Sequence, residues 1–157
     1  MDFTFGIITG GNNESNINLI IDSIEKENIK NYEIIIVGSC LIERKNVKII
    51  SFDESIKRAW ITKKKNLITE NAKYENIVYM HDYIVFCNGW YEGFKTFGND
   101  FKVCMNQIIN INGTRYRDWT LWPTHISIDF SKILPDRRYL LPYNELDLSK
   151  YMYISGA

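Results

Sequence analysis

The segment YEIIIV, Tyr32–Val37, constrains this chain more than any other. Its last four residues, 34–37, are a continuous β-branched run with no polar alternation. A strand of that kind is covered on both faces, and sheets built from such strands are parallel, with helices on either side. The neighbouring pattern agrees. Residues 3–9 (FTFGIIT) form a short apolar run that stops at Gly10-Gly11-Asn12-Asn13, a strand followed by a turn. Glu14-Ser15-Asn16 offers N-cap chemistry, and Ile17, Ile20, Ile21 and Ile24 then recur at helical spacing, so a helix is expected to about Asn28. Residues 47–51 read as a third strand, 61–72 as a helix with Leu67, Ile68 and Ala72 partly inward, and 77–80 as a fourth strand. Alternation of this type predicts an α/β sandwich with a mostly parallel sheet. Further on, 88–97 reads as a short helix and 101–111 as another strand. Asn112-Gly113 is positioned to close a hairpin.

Size and charge narrow the function classes. At 157 residues and 45% hydrophobic, the chain has enough material for one domain with a core. Lys+Arg and Asp+Glu are both 19, so the basic excess of a general nucleic-acid binder is missing. Cys40, Cys87 and Cys104 are widely spaced and odd in number, the pattern of reduced thiols in a cytoplasmic protein. No signal peptide and no membrane span is expected, since no run approaches the roughly 20 apolar residues a span needs.

In open parallel sheets, ligands sit beyond the carboxyl ends of the strands. Gly10-Gly11, Gly38-Ser39 and His81-Asp82 all fall at such ends and are expected to meet on one rim. A carboxylate there can hold a divalent cation, take a proton, or anchor a loop. Lys63-Lys64-Lys65-Asn66 lies upstream. Cations and a carboxylate on one rim suit a phosphorylated ligand bridged by Mg²⁺ or Mn²⁺, with Asp82 as the metal ligand. The plainer alternatives are a turn capped by Asp82 and a solvated lysine face. Gly10-Gly11 matches neither G-x-G-x-x-G nor a phosphate-loop signature.

Taken together, FTFGIITGGNN, ITKKKNLITENAKYENIVYMHDYIVF and the closing YMYISGA resemble a family 2 glycosyltransferase with the GT-A (nucleotide-diphospho-sugar transferase) fold. The middle segment resembles the family's Lys/Arg-Asn helix followed by a strand that ends in a DXD-type acidic motif. The resemblance covers most of the chain. It implies a single GT-A-like domain over 1–157, with a nucleotide-binding half to about residue 86 and an acceptor-side half after it. Thr9, Gly10, Gly11 and Asn12 would line the base and ribose, and Gly38 and Ser39 would continue that pocket. Lys64, Lys65 and Asn66 would face the nucleotide or diphosphate, and His81 and Asp82 would bracket the diphosphate and metal. Ser155 and Gly156 would lie near the transferred sugar. The implied partners are a nucleotide-diphosphate sugar and a carbohydrate or other hydroxyl acceptor, and the implied outcome is inverting transfer.

Two departures accompany the resemblance. Tyr83 stands where the family places its last metal-binding Asp. The family pattern also continues past the small-residue turn to a catalytic base, whereas this sequence ends at Ala157, so the resemblance implies a short or truncated member. Arg115-Tyr116-Arg117-Asp118-Trp119 with Trp122 offers either an acceptor platform, with Asp118 as base and Trp119 and Trp122 against the sugar, or an aromatic satellite core. The competing function is a non-catalytic sugar-nucleotide-binding module. A nucleotidyltransferase ranks last, because GGNNESN carries no basic residue.

Overall fold

The structure is a computed structural model that describes residues 1–114, 120–121 and 153–154. The chain forms two compact units, Met1–Asp100 and Phe101–Ala157.

In the first unit the order is β1 (Phe3–Ile8), α1 (Glu14–Lys26), β2 (Tyr32–Val37), β3 (Val47–Ile50), α2 (Ile61–Asn71), β4 (Asn76–His81) and α3 (Trp90–Phe97). The four strands make one parallel sheet in the order β3-β2-β1-β4. The α/β architecture with a parallel sheet, expected from YEIIIV, is therefore present. β1 lies inside the sheet, and all six of its residues are buried.

Alternation along β1 divides the core into two layers. Thr4, Gly6 and Ile8 face α2. Ile8, Ile35, Val37 and Ile68 form a buried cluster there, with Ile50, Phe52, Ile61, Leu67 and Ile77 around it. Gly6 is what lets α2 approach, since a Cβ at that position would stand 2.5 Å from a methyl carbon of Ile68. On the opposite face, Phe3 and Phe5 meet Phe86, Trp90 and Phe94 edge-on or tilted. The Ile17, Ile20, Ile21 and Ile24 side chains of α1 are buried, as their spacing predicts. Each fully buried Ile contributes about 1.5–3 kcal/mol by leaving water. The end of α1 also holds α3. The Glu27 carboxylate accepts the Gly89 N–H at 2.9 Å and the Tyr91 N–H at 2.8 Å, which satisfies the exposed N-terminal donors of that helix.

Two sequence expectations need correction. Helix α1 starts at Glu14 with Asn13 at the N-cap position, one step before the anticipated Glu14-Ser15-Asn16 signal. The Asn13 amide caps nothing in the helix; it donates to the backbone carbonyl of Asp82 at 2.9 Å. The apolar run 101–111 does not form a strand. Val103 is 69% exposed and Ile111 fully so, and within this run only Ile109 takes part in a β-bridge. The Asn112-Gly113 turn does form, with Asn110 N–H donating to Thr114 O and Gly113 N–H to Asn110 O, both at 2.8 Å. The second unit also holds a short antiparallel pair, β5 (Thr120–Leu121) and β6 (Tyr153–Ile154).

Candidate functional site

The site follows from strand register. Ile8 at the end of β1 lies opposite Val37 of β2 and His81 of β4. The three turns that follow therefore leave the sheet side by side. The ladder extends one step further, with Thr9 N–H donating to Val37 O at 3.1 Å and Gly38 N–H to Ile50 O at 3.0 Å. Gly38 takes φ +143°, and a Cβ there would stand 2.2 Å from the Thr9 carbonyl oxygen. No side chain fits between these two turns. Gly11 (φ +100°) and Asn12 (φ +58°) then reverse the chain into α1, with Gly11 packed on the Ser39 backbone.

Thr9 is the hub. Its hydroxyl donates to Asp82 Oδ2 at 2.7 Å and accepts the Gly11 N–H at 3.0 Å. Its carbonyl accepts from Lys64 Nζ at 2.6 Å. Lys64 is the inward lysine of the KKK run, 2% exposed, over the face of Phe52 and ion-paired with Glu54. Glu54 lies in the loop between β3 and α2. Its other oxygen accepts the Ala59 N–H at 2.8 Å. The Lys64 ammonium, with help from the Ala59 N–H, holds the Glu54 carboxyl below its usual pKa.

These groups border an open cleft of about 620 Å³. Ile8 lines it from the end of β1 and Thr9, Gly10 and Gly11 from the turn that follows, Lys64 and Ile61 from α2, and His81 from the end of β4 with Asp82 just after it. Glu54, Ser55, Arg58 and Ala59 complete it. His81 stacks on Tyr83 with ring centres 5.3 Å apart and planes 11° from parallel. Burial and, after it, the nearby Lys65 ammonium push the His81 pKa down, against the pull of Asp82. The imidazole is thereby kept neutral near pH 7 and able to accept as well as donate a proton.

Of the residues anticipated from sequence, Thr9, Gly10, Gly11, Lys64, His81 and Asp82 meet in this cleft. Gly38 and Ser39 stand behind it, against Thr9 and Gly11. Asn12 is exposed on the rim, Asn66 points to solvent, and Lys65 lies over the Tyr79 ring. None of these three lines the cleft. Asp118, Trp119, Trp122, Ser155 and Gly156 lie outside the described residues. Glu54 and Arg58 were missed by sequence reading. Their signal was topological, because residues 51–60 follow the carboxyl end of β3 and so share the rim.

No protein-family model matches the sequence, and no curated protein matches it. Among solved structures, the crystal structure of TarS 1–349 from S. aureus is similar with a TM-score of 0.49 and 16% identity, over 62% of this chain and 32% of that chain. The matched part is thus about a third of the TarS chain, and the functional reading rests on the side chains instead.

The donor set bears on metal use. Asp82 keeps one carboxylate oxygen beyond the one held by Thr9, while Glu54 is committed to Lys64 and Ala59. Among the described residues no group of three or more His, Cys, Asp or Glu is placed to enclose a metal ion. One carboxylate fits a hard cation whose remaining ligands are phosphate oxygens and water. Among the described residues no helix is long and apolar enough to cross a membrane.

Proposed function

We propose that this chain is a GT-A-like glycosyltransferase that moves a sugar from a nucleotide-diphosphate donor to an acceptor hydroxyl, with inversion. The observation that supports it most is the meeting of Thr9, Lys64 and Asp82, one from each of three elements, at the edge of one cleft. In this reading Thr9, Gly10, Gly11 and Asn12 hold the base and ribose, with Gly38 and Ser39 shaping the pocket from behind. Lys64 and His81 face the diphosphate, and Lys65 and Asn66 stand outside the contact. Asp82 would hold Mg²⁺ or Mn²⁺ together with diphosphate oxygens. The cation, when bound, offsets charge on the departing diphosphate. Lys64 stabilises the same charge through a preorganised N–H donor. The bond from the anomeric carbon to the phosphate oxygen breaks as the acceptor oxygen bonds to that carbon, and a carboxylate takes the hydroxyl proton. Asp118 is the proposed base, Trp119 and Trp122 the acceptor platform, and Ser155 and Gly156 the neighbours of the sugar.

A second reading, a non-catalytic sugar-nucleotide-binding module, is favoured by Tyr83 in place of an acidic residue. Titration calorimetry with UDP, GDP and their sugars, with and without Mn²⁺, separates the two. Saturable binding with sugar transfer or hydrolysis supports the enzyme, and binding without turnover supports the module. Heat absent for every nucleotide ends both. Metal-dependent binding that survives unchanged in Asp82→Asn refutes Asp82 as metal ligand.

A further inference from the structure

Lys64 is fully buried, and a buried ammonium needs a partner. That partner comes from a surface loop and not from the sheet. The Glu54 side chain is 26% exposed, so its carboxylate covers Lys64 from the cleft side. Among the described residues, Lys64 Nζ donates to Thr9 O and Glu54 Oε1, which uses two of its three N–H donors. The same carboxylate holds the Ala59 N–H, and Ala59 sits at φ +52°, a left-handed conformation that a Cβ-bearing residue adopts only when its surroundings impose it. Beside it, Arg58 lines the cleft, is exposed, and makes no ion pair with another described residue. One cation on this wall is therefore already neutralised by the protein's own carboxylate, and the next is open to solvent.

We propose that Lys64 and Arg58 form a diphosphate subsite, and that the Glu54 carboxylate occupies the anion position of this subsite until a ligand phosphate displaces it. Two anions cannot share the Lys64 ammonium without strong repulsion at this range. An entering diphosphate takes the Lys64 N–H, Glu54 swings to solvent, and Ala59 is released from the carboxylate that fixed it. Arg58, on the same loop, then closes on the phosphate with its planar fork, a geometry suited to bidentate contact. The exchange is non-covalent and moves no proton. It deepens the glycosyltransferase reading and rests on it for the nucleoside part of the ligand.

The test is calorimetry on the full chain at low ionic strength, with inorganic diphosphate, UDP and GDP as separate probes. Glu54→Gln keeps an oxygen for Lys64 but removes the competing charge, and is expected to bind diphosphate about tenfold more tightly. Arg58→Ala, at an exposed loop position, is expected to bind about tenfold more weakly. Should Glu54→Gln fail to fold, as judged by circular dichroism, the Arg58→Ala arm decides alone. Affinity unchanged in Arg58→Ala, or unchanged or weaker in a folded Glu54→Gln, overturns the subsite. Both effects with inorganic diphosphate but no nucleotide binding uphold the subsite and overturn the nucleotide-sugar reading. Binding of none of the probes by any form overturns both.

Discussion

The Thr9 hydroxyl donates to Asp82 Oδ2 at 2.7 Å across 73 residues of sequence, and so ties the end of β1 to the end of β4 at the point where the cleft opens. Through its carbonyl, Thr9 also fixes Lys64. One small residue thereby sets the relative positions of a carboxylate and an ammonium that come from different elements.

Replacing Thr9 by Val removes the hydroxyl at nearly constant volume. The Gly11 N–H loses its acceptor and Asp82 Oδ2 its donor. A destabilisation of about 1–3 kcal/mol is expected from the unpaired groups. Thr9→Ser is expected to retain most of the wild-type value. Urea unfolding of the three proteins measures this, and equal midpoints for Val and wild type would contradict it.

Gly38 and Gly10 are neighbours on the rim with opposite requirements. Gly38→Ala puts a Cβ 2.2 Å from the Thr9 carbonyl oxygen in a left-handed backbone, so β1 and β2 must part at their ends. A loss of more than about 3 kcal/mol, or failure to fold, is expected from that overlap and strain. Gly10→Ala meets nothing within 4 Å and is expected to stay within about 0.5 kcal/mol of wild type. Thermal melting of both variants checks the contrast.

Glu27→Ala strips the carboxylate from the Gly89 and Tyr91 N–H groups at the start of α3. Loss of an N-terminal cap costs about 1–2 kcal/mol. Faster amide hydrogen exchange should appear first at residues 89–94, where the aromatic layer is anchored. Exchange that rises evenly over the whole unit would point to a different role.

How much of this was legible in advance depends on which force acted at each element. Tyr32–Val37 and Ile17-Ile20-Ile21-Ile24 declared themselves, because burial on two faces and on one helix stripe each leaves a local periodicity. The rim was legible because parallel strands place their carboxyl ends together whatever the loops contain. The choice of Lys64 from three adjacent lysines was not legible. Helix phase around a four-residue repeat puts Lys64 and Ile68 on one face, but the reason Lys64 can be buried is Glu54, supplied by a loop with no period of its own. Residues 101–111 misled for the converse reason, since a short apolar run carries no period of its own that separates a strand from an irregular segment.

Acid is expected to weaken the rim in two stages. The His81 pKa lies below its ordinary 6.5, so the unfolded chain takes up that proton first and stability falls as pH drops below about 6.5. The Glu54 pKa lies below its ordinary 4.5, so its contribution is complete above that value and is lost as pH falls through the lower folded value. Urea unfolding at pH 7.5 and 5.5 should show a decline that shrinks in His81→Gln. An undiminished decline in that variant would place the titrating group elsewhere.

The turns after β1 and β4, together with the start of α2, are proposed to bind a nucleoside diphosphate. The most direct measurement is amide chemical-shift mapping of the isotope-labelled chain during titration with UDP and GDP. Saturable shifts with one dissociation constant are expected at Gly10, Gly11, Lys64, His81 and Asp82, strongly reduced in Thr9→Val. Spectra that stay unchanged at millimolar nucleotide, or saturable shifts confined to residues away from this cleft, would contradict it.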